Sequence, residues 1–225
     1  MNEEIIGVGA YTLLEGARLT GISARRLRGW VKGYSGGKHR NRQKPLWTPY
    51  FRDFDETILS FRDLVEARFI KAFADAGVPI RGLRNLISVA QDVIDDERPF
   101  STNNFKTDGK TIFLETIDQN GSSLVDLKKR QHVFQKIVER TLVDIDFGEG
   151  VAKRWWAAGR KKSVLVDPSV AFGQPVIRGT RIPTSRVVEV AKAEGGVGEA
   201  ATLFNISVSD AKDAIAFEAK LTAKA

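Results

Sequence analysis

The sequence contains no cysteine, which excludes disulfides, thiolate metal sites and a cysteine nucleophile. Histidine is nearly as scarce. His39 and His132 stand far apart without a spaced partner, so no histidine-rich metal site is expected. No uninterrupted apolar run is long enough to span a bilayer, and the opening MNEEIIGVGAYTLLEG is acidic where a signal peptide is basic. A soluble cytoplasmic protein without a membrane partner is the expectation. Also missing are a G-x-x-x-x-G-K-[ST] loop, a nucleophile–base arrangement and convergent metal ligands. No catalytic residue, metal or cofactor is expected, and an enzyme is the least favoured class.

What is present is charge, unevenly placed. The 225 residues are 42% hydrophobic and 28% charged, with a formal net charge of +7. That suits one large domain or two to three small ones. Residues 1–50 carry nine Lys/Arg against three Glu, whereas residues 163–225 carry seven of each sign. Nearly all of the excess positive charge therefore lies in the first fifth of the chain, which points there for a nucleic-acid partner.

In that fifth, Thr12 with Glu15 has the spacing of a capping box opening a short helix to about Leu19. Gly21 suits a tight turn, and Ser23 caps a second helix from Ala24 to about Lys32. Ala24, Leu27 and Val31 share one face of it, while Arg25, Arg26, Arg28 and Lys32 fall largely outside. Helix, glycine turn and basic helix are the layout of a helix-turn-helix. The polar stretch GYSGGKHRNRQKPLWTP follows, with Lys38, Arg40, Arg42 and Lys44. Its plain reading is a solvated loop; beside a basic helix, a β-wing reaching the phosphate backbone is preferred.

Further along, Ser60 and Asp63 open a helix with Phe61, Leu64, Ala67, Ile70 and Ala74 on its apolar face. Gly77 ends it, and Pro79 opens another bearing Ile80, Leu83, Leu86, Ile87, Ala90, Val93 and Ile94. A boundary is expected at Glu97-Arg98-Pro99. Residues 99–162 read as a small β-rich region, with a hairpin turning at Asp108-Gly109 between Phe105 and Phe113. A helix within 127–142 and a strand at Val143–Phe147 complete it. Trp155-Trp156 either stacks on bases or, as such pairs do more often, packs a core. Asp144 and Asp146 share a strand face that reads more simply as solvated than as paired catalytic carboxylates. Beyond Ser163 come a strand at Val164–Val166, the stretch GQPVIRGTRIP, and three helices starting near Thr184, Glu199 and Ser207.

Two stretches resemble known families. YTLLEGARLTGISARRLRGW and LSFRDLVEARFIKAFADAGVPIRGLRNLI resemble the helix-turn-helix and following helix pair of MerR-type winged-helix proteins. The resemblance implies Ser23, Arg25, Arg26 and Arg28 near DNA, with Lys38, Arg40, Arg42 and Lys44 on the wing; Lys32 joins them from the basic face. The chain departs from that pattern at Arg28-Gly29-Trp30, where two aromatics often follow the arginine, and in its longer wing. Asp167-Pro168, Gly173–Ile177 and Gly179–Pro183 resemble the "domain of unknown function 433" family, which implies a homeodomain-like helical fold. The combination is similar to VapB-type antitoxins, whose toxin is a PIN-domain ribonuclease.

The expected architecture is thus α+β and mainly helical. It comprises a winged helix-turn-helix over 1–98, a β-rich middle over 99–162, and a β-hairpin with three helices over 163–225. The expected function is a DNA-binding regulator, double-stranded DNA and a second copy of the chain being its partners. The resemblance adds an antitoxin role toward a PIN-domain toxin; a stand-alone regulator or an excisionase-like recombination factor is the alternative. In GQPVIRGTRIP, Val176-Ile177 and Thr180–Ile182 read as hairpin strands about Arg178-Gly179, with no phosphate cradle. Arg178, Gly179, Thr180, Arg181 and Ile182 are then candidates for a partner or dimer interface.

Overall fold

The computed structural model describes residues 7–34, 43–52, 54–118 and 124–223. The fold is α+β and mainly helical. The order of elements is β1 (Tyr11–Thr12), α1 (Leu13–Thr20), α2 (Ala24–Lys32), β2 (Ile58–Leu59), α3 (Phe61–Asp75) and α4 (Ile80–Ile94). Then follow α5 (Asn104–Asp118), α6 (Leu124–Leu142), β3 (Ile145–Gly148), β4 (Val151–Trp155), β5 (Val164–Val166) and β6 (Pro175–Ile177). The chain closes with α7 (Thr184–Ala193), α8 (Val197–Phe204) and α9 (Val208–Ala223).

Local chemistry explains the starts of the first three helices. The Thr12 side chain accepts from the Glu15 amide while the Glu15 carboxylate accepts from the Thr12 amide, closing the capping box of α1. Gly21 then takes φ 65°, which turns the chain into α2. Ser60 and Asp63 form the same reciprocal box on α3. Helix α3 is the centre of the molecule. Phe61, Leu64, Val65, Ala67, Phe69, Ile70 and Phe73 are all buried, with Asp63 and Glu66 among them. A helix buried around most of its circumference lies inside a core, not on its surface.

Two sheets accompany the helices. β1 and β2 form a minimal antiparallel pair, Tyr11 opposite Leu59. The other sheet has the order β3-β4-β5-β6, antiparallel throughout, with a register shift between Asp146 and Phe147. One apolar core runs from Tyr11 through α3 and α6 to Trp155, Val164, Val166 and Phe217. A second, small core joins Ile177, Val187, Ala200, Ala201, Ala211 and Ala214.

The middle of the chain corrects one expectation. Asp108-Gly109 is not a hairpin turn but lies inside α5. Phe105, Ile112 and Phe113 are buried at helical spacing. The Phe105 ring meets Phe100 at 4.7 Å and Phe69 at 5.3 Å, and Phe113 meets Phe134 of α6 at 5.1 Å. Glycine inside a helix costs about 1 kcal/mol, whereas burying each phenylalanine contributes roughly 1.5–3 kcal/mol. Tertiary burial wins. Gly109 is itself buried against α6, where a Cβ would stand in ordinary contact, 3.5 Å from the Phe134 ring. The hairpin of this region is β3–β4 instead, Ile145 opposite Trp155.

The C-terminal pairing also differs from expectation. Val176-Ile177 pair with β5, Val164 opposite Ile177, and not with Thr180–Ile182, which form no strand. Across the Arg178–Thr180 turn the Val176–Pro183 bridge and the Ile177 amide to Ile182 carbonyl bond stand in place of a strand ladder. Pro175 stands on the edge strand of the sheet, the place where its missing N–H costs no ladder bond.

Candidate nucleic-acid interface

Helix α2 buries Leu27, Gly29, Trp30 and Val31 and exposes Arg25, Arg28 and Lys32. Ser23 caps it, its hydroxyl accepting from the Arg26 amide at 3.3 Å. Arg26 behaves differently from its neighbours. Its guanidinium lies over the Trp30 ring at 4.8 Å and pairs with Asp75 of α3 at 3.6 Å. It ties α2 to the end of α3 and is less free than Arg25 or Arg28.

The segment after α2 leaves the helix through Gly33 at φ 80°, and Tyr34 and Gln43 exchange both backbone hydrogen bonds, at 3.2 and 3.0 Å. That antiparallel bridge is the base of the expected wing. Lys38, Arg40 and Arg42 lie outside the described residues. Lys44 is exposed just beyond the bridge. A Cβ on Gly33 would sit 2.1 Å from the Gln43 carbonyl oxygen, so only glycine lets the two limbs close. A Cβ on Gly29 would sit 2.2 Å from the Tyr34 ring. The Tyr34 ring occupies the space that an aromatic at position 29 would fill, which accounts for the Arg28-Gly29-Trp30 sequence.

The return limb is held from below by groups that sequence reasoning did not single out. The Asp63 carboxylate is fully buried and accepts from Trp47 Nε1 (3.1 Å), the Tyr50 amide (3.0 Å), the Ser60 amide and hydroxyl (2.8 Å each) and Arg98 Nε (2.8 Å). Arg98, equally buried, also donates to the Thr48 carbonyl at 3.1 Å. One carboxylate thus joins the limb, the α3 cap and the link from α4 to α5. Its only sequence signal was the Ser60–Asp63 spacing, read as a cap alone. Glu66, one turn along, accepts from the Ser101 amide at 2.8 Å; burial pushes its carboxyl up to about 8. Between α2, the wing base and the α3–α4 hairpin opens a cavity of about 450 Å³, walled by Arg26, Trp30, Tyr34, Gln43, Val78, Ile80 and Leu83 among others.

The second predicted group sits at the other end of the sequence. Arg178, Gly179 and Arg181 are exposed, while the Thr180 hydroxyl donates to the Ile177 carbonyl and accepts from the Ile182 amide. Ile182 packs on the small core. Gly173 and Asp167, by contrast, face the N-terminal part: the buried Tyr11 hydroxyl donates to the Gly173 carbonyl. Asp167 is held by Ser169 and Arg154. Burial opposes its charge, but those hydrogen bonds outweigh it and keep the carboxyl below its usual range. Trp155 is buried beneath the Arg68 guanidinium at 4.3 Å, and Trp156 donates to Asp146. The tryptophan pair packs the fold, and Asp146 anchors Trp156 and Arg160.

Residues 164–217 match the family described as "Protein of unknown function (DUF433)". The match spans β5 to α9 and includes the whole GQPVIRGTRIP stretch. No curated protein matches the chain. Among solved structures, the chain is similar to the X-ray crystal structure of Rv2018 from Mycobacterium tuberculosis, with a TM-score of 0.70 and 23% identity. The likeness covers 91% of this chain and 96% of that one, so the two share a fold over nearly their full lengths. Among the described residues, no helix is long and apolar enough to cross a membrane.

Proposed function

We propose that the chain is a sequence-specific DNA-binding regulator that lays α2 in the major groove and braces the following segment on the phosphates. One observation carries this reading. The exposed cations Arg25, Arg28 and Lys32 line the side of α2 away from buried Leu27, Trp30 and Val31, next to the antiparallel Tyr34–Gln43 bridge. An arginine on such a helix reads guanine bidentately, worth about 1–3 kcal/mol of discrimination. Lys44 and the wing cations add phosphate contacts, which make affinity fall with salt. Two copies would match two half-sites of a palindromic operator. The test is a titration of promoter DNA from the chain's own gene with an Arg25→Ala/Arg28→Ala variant. Unchanged affinity would sink the proposal.

The proposal extends to a cytoplasmic antitoxin that represses its own operon and neutralises a PIN-domain ribonuclease. Its support is the match over 164–217 together with Arg178 and Arg181, both exposed on a turn fixed by Thr180. An arginine inserted into a metal-binding carboxylate cluster would block such an enzyme. Co-expression with the neighbouring small gene product tests it. Absence of a co-purifying nuclease leaves the stand-alone regulator.

A further inference from the structure

We propose that Arg84 of α4 is a positioning residue for the limb that follows the Tyr34–Gln43 bridge, fixing the backbone at Lys44 and Pro45 and so the place of the Lys44 side chain. The functional half of this inference rests on the DNA-binding reading above; the structural half does not. Farther along, the return limb is held by the Asp63 and Arg98 bonds to Trp47, Thr48 and Tyr50, whereas Lys44 and Pro45 are exposed. Beyond the Tyr34–Gln43 bridge, its backbone is tied by the Leu46 amide to the Trp30 carbonyl at 2.7 Å, and then by Arg84. The two terminal nitrogens of Arg84 donate separately to the Lys44 and Pro45 carbonyls, each at 2.7 Å.

The chemistry of this contact selects arginine. Two successive carbonyls need two donors at a fixed separation, and Pro45 has no N–H with which to enter a strand ladder. A planar guanidinium presents a rigid fork of N–H groups, whereas a lysine ammonium is a compact point donor. The clamp is also superficial: Lys44 and Pro45 are exposed and Arg84 is half-buried. Removing it loosens the limb without opening the core around α3. Because Lys44 projects from the clamped backbone, its placement is governed from α4.

The experiment compares the full chain with Arg84→Ala and Arg84→Lys. Amide hydrogen exchange is followed at Tyr34, Gln43 and Leu46, and a duplex from the promoter of the chain's own gene is titrated across a salt series. Thermal midpoints are expected near wild type. In both variants the Gln43 and Leu46 amides should exchange about tenfold faster or more. Affinity should fall about 2- to 10-fold, with a salt slope shallower by about 1 as the Lys44 phosphate contact is lost. Arg84→Lys keeps the charge, so wild-type behaviour of that variant would reduce Arg84 to a surface cation and overturn the proposal. Unchanged exchange in Arg84→Ala overturns it too, as does faster exchange with unchanged affinity and slope. If the wild-type chain binds no DNA, the DNA-binding reading fails, while the exchange measurement still decides whether Arg84 holds the limb.

Discussion

The buried Tyr11 hydroxyl donates to the Gly173 carbonyl at 2.8 Å, joining positions 162 residues apart. Gly173 has φ 84°, and a Cβ there would lie 2.1 Å from the tyrosine oxygen. The Ala10 amide donates to the Phe172 carbonyl at 3.4 Å beside it. The Ala10–Tyr11 segment is therefore docked on the loop that opens GQPVIRGTRIP, and the glycine of that motif seats the Tyr11 ring.

Gly173→Ala should destabilise the protein more than Tyr11→Phe. The phenylalanine variant leaves one buried carbonyl without its donor, a loss of about 1–3 kcal/mol. The alanine variant adds left-handed strain and a collision with a buried side chain, each of comparable size. Chemical denaturation of both checks the order.

Alkaline pH probes the same contact. Burial, with the Asp167 and Glu15 charges behind it, pushes the Tyr11 phenol far above its ordinary 10.0. Its folded-state pKa is raised, so its contribution is complete below the unfolded value and declines as pH rises past it. Stability should fall with pH above 10.0 in wild type and fall less steeply in Tyr11→Phe.

Glu66 has the same sign at lower pH. Its carboxyl stands at about 8 against an ordinary 4.5, because burial disfavours its charge more than the Ser101 and Phe100 amides and Arg62 favour it. The folded state holds a proton that the unfolded state releases. Stability from this group is present below 4.5 and is lost as pH rises to about 8. The full change is on the order of 5 kcal/mol. Glu66→Gln should flatten denaturation midpoints across that window.

Asp63→Asn should be severe. It removes the buried carboxylate partner of Arg98, leaving its guanidinium to the exposed Glu97 carboxylate at 3.4 Å, and turns an amide NH2 toward groups that are themselves donors. A loss of roughly 3–5 kcal/mol is expected from breaking such a pair. Denaturant titration measures it, and a change below about 1 kcal/mol would show that the Arg98 charge finds another partner.

Gly29→Ala should separate stability from binding. Alanine favours the helix by about 1 kcal/mol, but its Cβ displaces the Tyr34 ring, which is 38% exposed and free to swing away. The thermal midpoint should hold or rise slightly while promoter affinity falls, because the ring that orders the wing base is lost. Equal affinity in the variant would show that Tyr34 packing does not matter to the wing.

Much of the helical layout is legible in local chemistry. The Thr12–Glu15 and Ser60–Asp63 boxes, the Gly21 turn and the Ser23 cap act between residues at most four apart, so their signals survive in sequence order. The exposed cations of α2 are legible for the same reason, since helical spacing separates them from Leu27 and Val31. Helix α5 reads as a hairpin in the sequence because Asp108-Gly109 is a strong local turn signal. The opposing force, burial of Phe105 and Phe113 among Phe69, Phe100 and Phe134, comes from segments far away in the chain. The buried Asp63 hub was half-read for a similar reason: its cap to Ser60 is local, but Trp47, Tyr50 and Arg98 arrive from elsewhere.

By itself, then, the sequence determined the helices with their own caps, the concentration of positive charge near the start, and the exclusion of cysteine chemistry. Each depends on composition or on spacing within a turn or two. Only the tertiary structure decided that Arg26 turns to Trp30 and Asp75, that Arg84 clamps Lys44 and Pro45, and that Gly173 seats Tyr11. Those contacts join residues whose separation along the chain carries no periodic signal, and they form because buried or crowded carbonyls, carboxylates and rings must find a partner once the core closes.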